Sequence, residues 1–159
     1  MLLKSKKEEM IKDLENAVKG SESVVFVNFH GLHAGDETSL RRDLRNQGVS
    51  YKVSRKTLLK RALAGKAEGE LPELPGEVAM AYSDDQLAPA REVFNFAKTH
   101  KGSLSILGGI FEGKFMNNTA MLEIATIPGR EVLLSKLAFL FKSPMQRLAI
   151  GLNEVAKKK

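Results

Sequence analysis

The sequence predicts a compact two-layer α/β or α+β domain over residues 1–127, followed by a separate amphipathic helix over 131–159. Three observations carry that reading. Strand-like and helix-like patterns alternate through residues 1–127, with Gly and Pro punctuation between them. The tail has no strand pattern, only apolar residues at helical spacing. Between the two stands Pro128-Gly129, a hard stop, so we take 128–130 as a hinge. At 159 residues there is room for one sizeable core and an appendage.

Each element has a local reason. Ser5-Lys6-Lys7-Glu8 fits a capping box, and Met10, Ile11, Leu14, Ala17 and Val18 follow at helical spacing up to Gly20. Val24–Phe29 is β-branched and aromatic, which predicts a buried strand. Asp36–Gln47 predicts a helix with Leu40 and Leu44 inward, stopped by Gly48, and Val49–Val53 a short strand. Ser54 fits the cap of a helix with Leu58, Leu59, Ala62 and Leu63 on one side, ended by Gly65. Residues 65–76, rich in Gly, Pro and Glu, predict a surface loop. Val78–Tyr82 predicts a strand, and a helix starting between Asp84 and Pro89 runs towards Gly102. Leu104–Leu107 and Ile110–Phe115 predict two strands meeting at Gly108-Gly109, and Asn118–Ala125 a short helix.

Composition excludes several functions. Without cysteine there is no disulfide framework, thiolate nucleophile or Cys-based zinc site. The longest run free of Lys, Arg, Asp and Glu is Ser23–Gly35, 13 residues, too short for a membrane span. Met1–Lys19 alternates charges and lacks the apolar stretch of a signal peptide. A cytosolic, reducing compartment is expected. Gly108–Lys114 matches a phosphate-loop pattern, but Phe115 stands where Ser or Thr must ligate magnesium, and the context is β-turn-β. His30 and His33 have no third ligand type nearby and read as turn residues. Asp84-Asp85 reads as a helix start. No spacing joins a nucleophile, base and orienter, so an enzyme is not expected, nor any cofactor or metal.

Charge supplies the positive signal. The net charge is +6, and residues 1–66 carry all of it, since 67–159 hold 11 basic and 11 acidic side chains. Leu40–Lys66 alone holds nine basic residues against one Asp. Arg41, Arg42 and Arg45 come from one helix, Lys52 from the next strand, and Arg55, Lys56, Lys60 and Arg61 from the following helix, with Lys4, Lys6 and Lys7 as a third helical contribution. Cations converging from separate elements suit a phosphate backbone, where each contact releases counterions. With no Trp, and Tyr51 alone among aromatics in this sector, recognition of folded RNA shape is expected over single-strand base readout.

In the tail, Leu133, Leu137, Leu140, Phe141, Leu148, Leu152 and Val155 form one wide apolar stripe, and Lys136, Lys142, Gln146, Arg147, Asn153 and Glu154 lie opposite. Val132, Phe139 and Ile150 fall among the polar positions. Pro144 predicts a kink or break that leaves pieces of about 131–142 and 145–156. Such a stripe marks a partner site unless it folds back on a core. A membrane-surface helix would need a denser basic face.

Val49–Leu63, preceded by Leu40-Arg41-Arg42-Asp43-Leu44-Arg45, resembles the central signature of the family of bacterial large-subunit ribosomal protein ten, the stalk-base protein. Phe29-His30-Gly31-Leu32 resembles that family's Gly-Leu turn, and Ile127–Leu134 the junction before its C-terminal helix. The chain departs from the usual pattern at Arg55-Lys56 (usually Lys-Asn), His33 (usually Thr) and Gly129 (usually Ser). The resemblance implies an α+β class fold, a ferredoxin-like α/β plait, bound to large-subunit rRNA at the GTPase-associated centre beside ribosomal protein eleven. It adds Gly31, Leu32 and Thr57 to the RNA-binding candidates. It also implies a C-terminal helix carrying dimers of the small acidic stalk protein, which recruit translational GTPases. With Pro144 dividing the helix, two dimers are expected. The alternatives are a ribosome-assembly paralogue or a basic RNA-binding regulator, both lacking stalk partners.

Overall fold

The structure, a computed structural model, describes residues 4–63, 72–100 and 102–157. The side chains of Lys4, Ser5 and Val155 lie outside the described residues, as do residues 65–71 of the loop expected over 65–76. The chain divides into two units, Met1–Ile127 and Pro128–Lys159.

In the first unit the elements run α1 (Lys4–Lys19), β1 (Ser23–Asn28), α2 (Ala34–Asn46), β2 (Ser50–Val53), α3 (Lys56–Leu63), β3 (Val78–Ser83), α4 (Ala88–Thr99), β4 (Ser105–Phe111), β5 (Lys114–Asn117) and α5 (Asn118–Ala125). The five strands form one sheet in the order β2-β3-β1-β4-β5, every pair antiparallel. β1-α2-β2 and β3-α4-β4 are the two halves of an α/β plait, and β5 extends it as a hairpin.

β1 is buried on both faces, and its period-2 alternation divides the core. Val25 and Val27 join Leu40, Leu44, Val93 and Met121 beneath α2, α4 and α5. Val24 and Phe26 join Leu14, Leu58, Leu59 and Leu63 beneath α1 and α3. The two expected layers are therefore present, and a third covers the other sheet face.

Glycine settles two local features. Gly48 (φ +72) closes α2: its N–H donates to the Arg45 carbonyl at 3.1 Å, and Val49 N–H to the Leu44 carbonyl at 2.9 Å. That Schellman pattern brings Val49 onto Leu44, both core residues. Gly108-Gly109, expected as a turn, instead lies inside β4. The register shifts between Phe26 and Val27 of β1, so Leu107 is the extra residue of a bulge. A Cβ on Gly109 would meet the Val24 carbonyl oxygen at 2.4 Å and Met121 Cε at 2.6 Å. Close backbone approach, not a turn, requires the glycine. The hairpin turn is Glu112-Gly113, with φ of 50° and 76°, between paired Phe111 and Lys114, as a type I′ turn demands.

Other expectations shift. α1 already includes Lys4, so Ser5 lies within the helix and is not its cap. α2 starts at Ala34, two residues before the expected Asp36. Ser54 does not cap α3 either: the Arg55 carbonyl accepts from Leu58 and Leu59 N–H, both at 3.0 Å, and Ser54 Oγ has no partner. Pro72 and Leu74 are buried, so the end of the expected surface loop is part of the core. Asp85, expected at a helix start, lies in the turn before α4, where its Oδ1 accepts the Leu87 N–H at 3.0 Å.

The second unit is α6, Arg130–Lys157, one helix of 28 residues with Pro144 inside it. The expected two pieces are thus a single helix. Proline removes one intrahelical bond, from position 144 to the Leu140 carbonyl, and the helix formers on either side carry the secondary structure through.

Candidate nucleic-acid interface and partner helix

β2 is an edge strand, and the basic side chains gather around it from both sheet faces. Consecutive strand residues point to opposite faces, which here separates Tyr51 from Lys52. Tyr51 packs against the core under α2, and the Arg41 guanidinium lies over its ring, 5.0 Å from the centroid. Lys52 faces α1, with Nζ 3.8 Å from Asp13 Oδ2. The cations therefore wrap an edge of the sheet instead of paving one face.

They are not equivalent. Arg41 Nε and Nη2 both donate to Glu37 Oε1, one helical turn back, the former at 3.2 Å. Held by Glu37 and the Tyr51 ring, Arg41 fastens α2 to β2, and its charge is largely compensated. Arg42 lies 4.0 Å from Asp43, in an exposed pair worth little. Arg45, Arg55, Lys56, Lys60 and Arg61 have no acidic partner among the described residues, nor have Lys6 and Lys7. In α3, Leu58, Leu59, Ala62 and Leu63 take the buried side, which turns Lys56, Lys60 and Arg61 outward as the spacing predicts. α1, bearing Lys6 and Lys7, packs beside α3 on the same sheet face.

The candidates taken from the Gly-Leu turn fall differently. Gly31 (φ +82) shapes an exposed turn, in which Leu32 N–H donates to the Phe29 carbonyl at 3.2 Å. Leu32 itself is half-buried against the core and anchors that turn. Thr57 is exposed in the first turn of α3.

A groove of about 470 Å³ opens where β2 runs into α3, lined by Phe29, Val53, Arg55, Lys56, Glu77 and Val78 among others. Sequence reasoning missed Phe29, Val53 and Val78, because local pattern does not say which strand ends meet where β2 runs into α3. The Glu37–Arg41 pairing has the i,i+4 spacing of a helical ion pair, a signal present in the sequence.

Burial pushes the Tyr51 phenol up to about 12, with the Glu37 carboxylate adding to the rise and Arg41 opposing it. Its hydroxyl has no hydrogen-bond partner. Among the described residues, no group of three His, Asp or Glu is placed to hold a metal ion, and no helix is long and apolar enough to cross a membrane.

On α6 the stripe residues are all solvent-exposed where described: Leu133, Leu137, Leu140, Phe141, Leu148 and Leu152. Val132, Leu134, Phe139, Met145 and Ile150 are exposed as well, so the apolar surface is wider than the single stripe. A helix of this length spans about 42 Å.

Known proteins match along the whole chain. The family described as ribosomal protein L10 matches residues 2–98, and the ribosomal protein uL10 C-terminal region matches 127–159. The large ribosomal subunit protein uL10 of Delftia acidovorans is 36% identical over 159 residues, covering 99% of this chain and 90% of that protein. The proteins of the same name from Clostridium acetobutylicum and Bacillus cereus are each 36% identical over 155 residues, covering 96% of this chain and 92% and 93% of theirs. The resemblance carried by Val49–Leu63 and Ile127–Leu134 therefore extends over nearly the full length, and the chain belongs to the ribosomal protein L10 (uL10) family of large-subunit proteins, with a structural role and not an enzymatic one.

Proposed function

We propose that the first unit binds rRNA of the GTPase-associated centre, beside ribosomal protein eleven, and that α6 anchors two dimers of the small acidic stalk protein, which recruit translational GTPases. The chain would then work in the cytoplasm, on the ribosome. The observation that carries this reading is the pairing, in one chain, of a basic sheet edge with a 28-residue helix whose apolar residues lie exposed. The edge supplies cations for phosphates. The helix supplies exposed apolar area of the kind that a partner removes from water. Pro144 separates Leu133, Leu137, Leu140 and Phe141 from Leu148 and Leu152, and we assign one dimer to each group.

The test is to end the chain after Ile127 and isolate large subunits from the cells. The truncated chain should remain on the particle while the acidic copies disappear. Acidic copies persisting at full level would remove the anchoring role from α6. Loss of the truncated chain itself would place the RNA-binding determinants outside the first unit.

A further inference from the structure

The groove between β2 and α3 has a chemistry that the charge pattern does not announce. Its apolar lining is Phe29, Val53 and the mostly buried Val78, beside Ser54, Arg55, Lys56 and Glu77. Val53 is 42% exposed at the end of an edge strand, so its side chain is open to a ligand in the groove. On one side stand Arg55 and Lys56, without acidic partners among the described residues. On the other stands Glu77, whose neighbour is His30 at 4.0 Å. The Ser54 hydroxyl, among the lining residues, is enclosed and has no hydrogen-bond partner. The groove, about 470 Å³, is open to solvent and sets apolar residues beside charged ones.

We propose that this groove receives one unstacked nucleotide of the bound RNA, its base against Phe29, Val53 and Val78 and its phosphate on Arg55 and Lys56. The inference rests on the rRNA-binding reading above and adds a mode of recognition to it. Charge sets the orientation. Glu77 repels phosphate and accepts a hydrogen bond from a base N–H or a ribose 2′-hydroxyl, so the phosphate lies on the cationic side. Aromatic and apolar walls take the face of a base that has left its stack. The composition argued for shape recognition alone because it lacks Trp. The fold qualifies that by bringing Phe29, the residue after β1, beside the basic residues of the β2–α3 junction.

The experiment uses large subunits and the full chain. Zero-length ultraviolet crosslinking of native subunits, followed by mass spectrometry, should attach a nucleotide to Phe29 or within Val53–Thr57. In parallel, Val53→Trp fills the groove from an exposed position, with its melting temperature checked against wild type. It should weaken binding to purified large-subunit rRNA at least tenfold and flatten the slope of log affinity against log salt by about 1, the one phosphate that leaves Arg55 and Lys56. Wild-type affinity in Val53→Trp, with crosslinks only elsewhere in the chain, overturns the groove and leaves rRNA binding intact. Absence of any salt-dependent rRNA binding by the wild-type chain overturns both. Should Val53→Trp fail to fold, the crosslink position alone decides.

Discussion

Replacing Arg55, Lys56, Lys60 and Arg61 together by Gln tests which cations meet RNA phosphates. The fold should survive, because α3 is held by Leu58, Leu59, Ala62 and Leu63, all buried, and none of the four cations has an acidic partner among the described residues to leave stranded. Each phosphate contact contributes about 0.7–0.9 to the slope of log affinity against log salt, so four lost contacts flatten the slope by about 3. Between 50 and 200 mM salt, a fourfold range, that is a difference of about 60-fold in how much affinity is lost. The assay is binding of purified large-subunit rRNA at a series of KCl concentrations. Arg41→Gln is the control: paired to Glu37 and laid on Tyr51, Arg41 should change the slope by less than about 0.5 and the stability by about 0.5 kcal/mol. An unchanged slope in the fourfold variant, or an equal change from Arg41→Gln alone, refutes the division of the basic sector into free and compensated cations.

Three further outcomes follow from the same geometry. Tyr51→Phe removes an enclosed, unpartnered hydroxyl and should stabilise the fold by about 1 kcal/mol in urea titrations. Because the folded state holds that proton up to about 12, the contribution is complete below the usual value of 10.0 and is lost as pH rises towards about 12. Wild type should therefore show an alkaline decline across that window which Tyr51→Phe lacks, and identical curves would contradict the burial argument. Gly109→Ala drives a Cβ into the Val24 carbonyl and Met121 and should cost about 2–3 kcal/mol, whereas Gly35→Ala, in the open on α2, should gain up to about 1 kcal/mol; equal effects in chemical denaturation would sink the close-approach account. Leu137→Asp should remove one acidic dimer and Leu152→Asp the other, as read by native mass, and retention of both dimers in either variant would refute the division at Pro144.

Elements were legible where burial and local pattern agree. Val24–Val27 of β1 is apolar without a break because the sheet is covered on both sides, and the spacing of Leu58, Leu59, Ala62 and Leu63 placed α3 and its outward cations. The second covering layer was not legible, since no local pattern says which sheet face α1 and α3 will occupy. Gly108-Gly109 misled because glycine serves both turns and close approach, and only the register against β1 separates them. The true turn, Glu112-Gly113, hid because Glu112 is a non-glycine residue at positive φ. Pro144 misled differently: one missing hydrogen bond is a local cost that a long helix absorbs. Within the candidate interface, the number of cations was plain from the sequence, but their availability was not. That depends on Glu37, Asp13 and Asp43, whose reach is a property of the packed elements.

The most direct test of the account is the native mass of the complex purified from its own cells after high salt has stripped the RNA. The account predicts this chain, 17.5 kDa, with four copies of a small acidic protein. Six copies would retain the scaffold and refute the two-site division of α6. A bare chain would contradict the anchoring role and favour an RNA-binding protein without stalk partners.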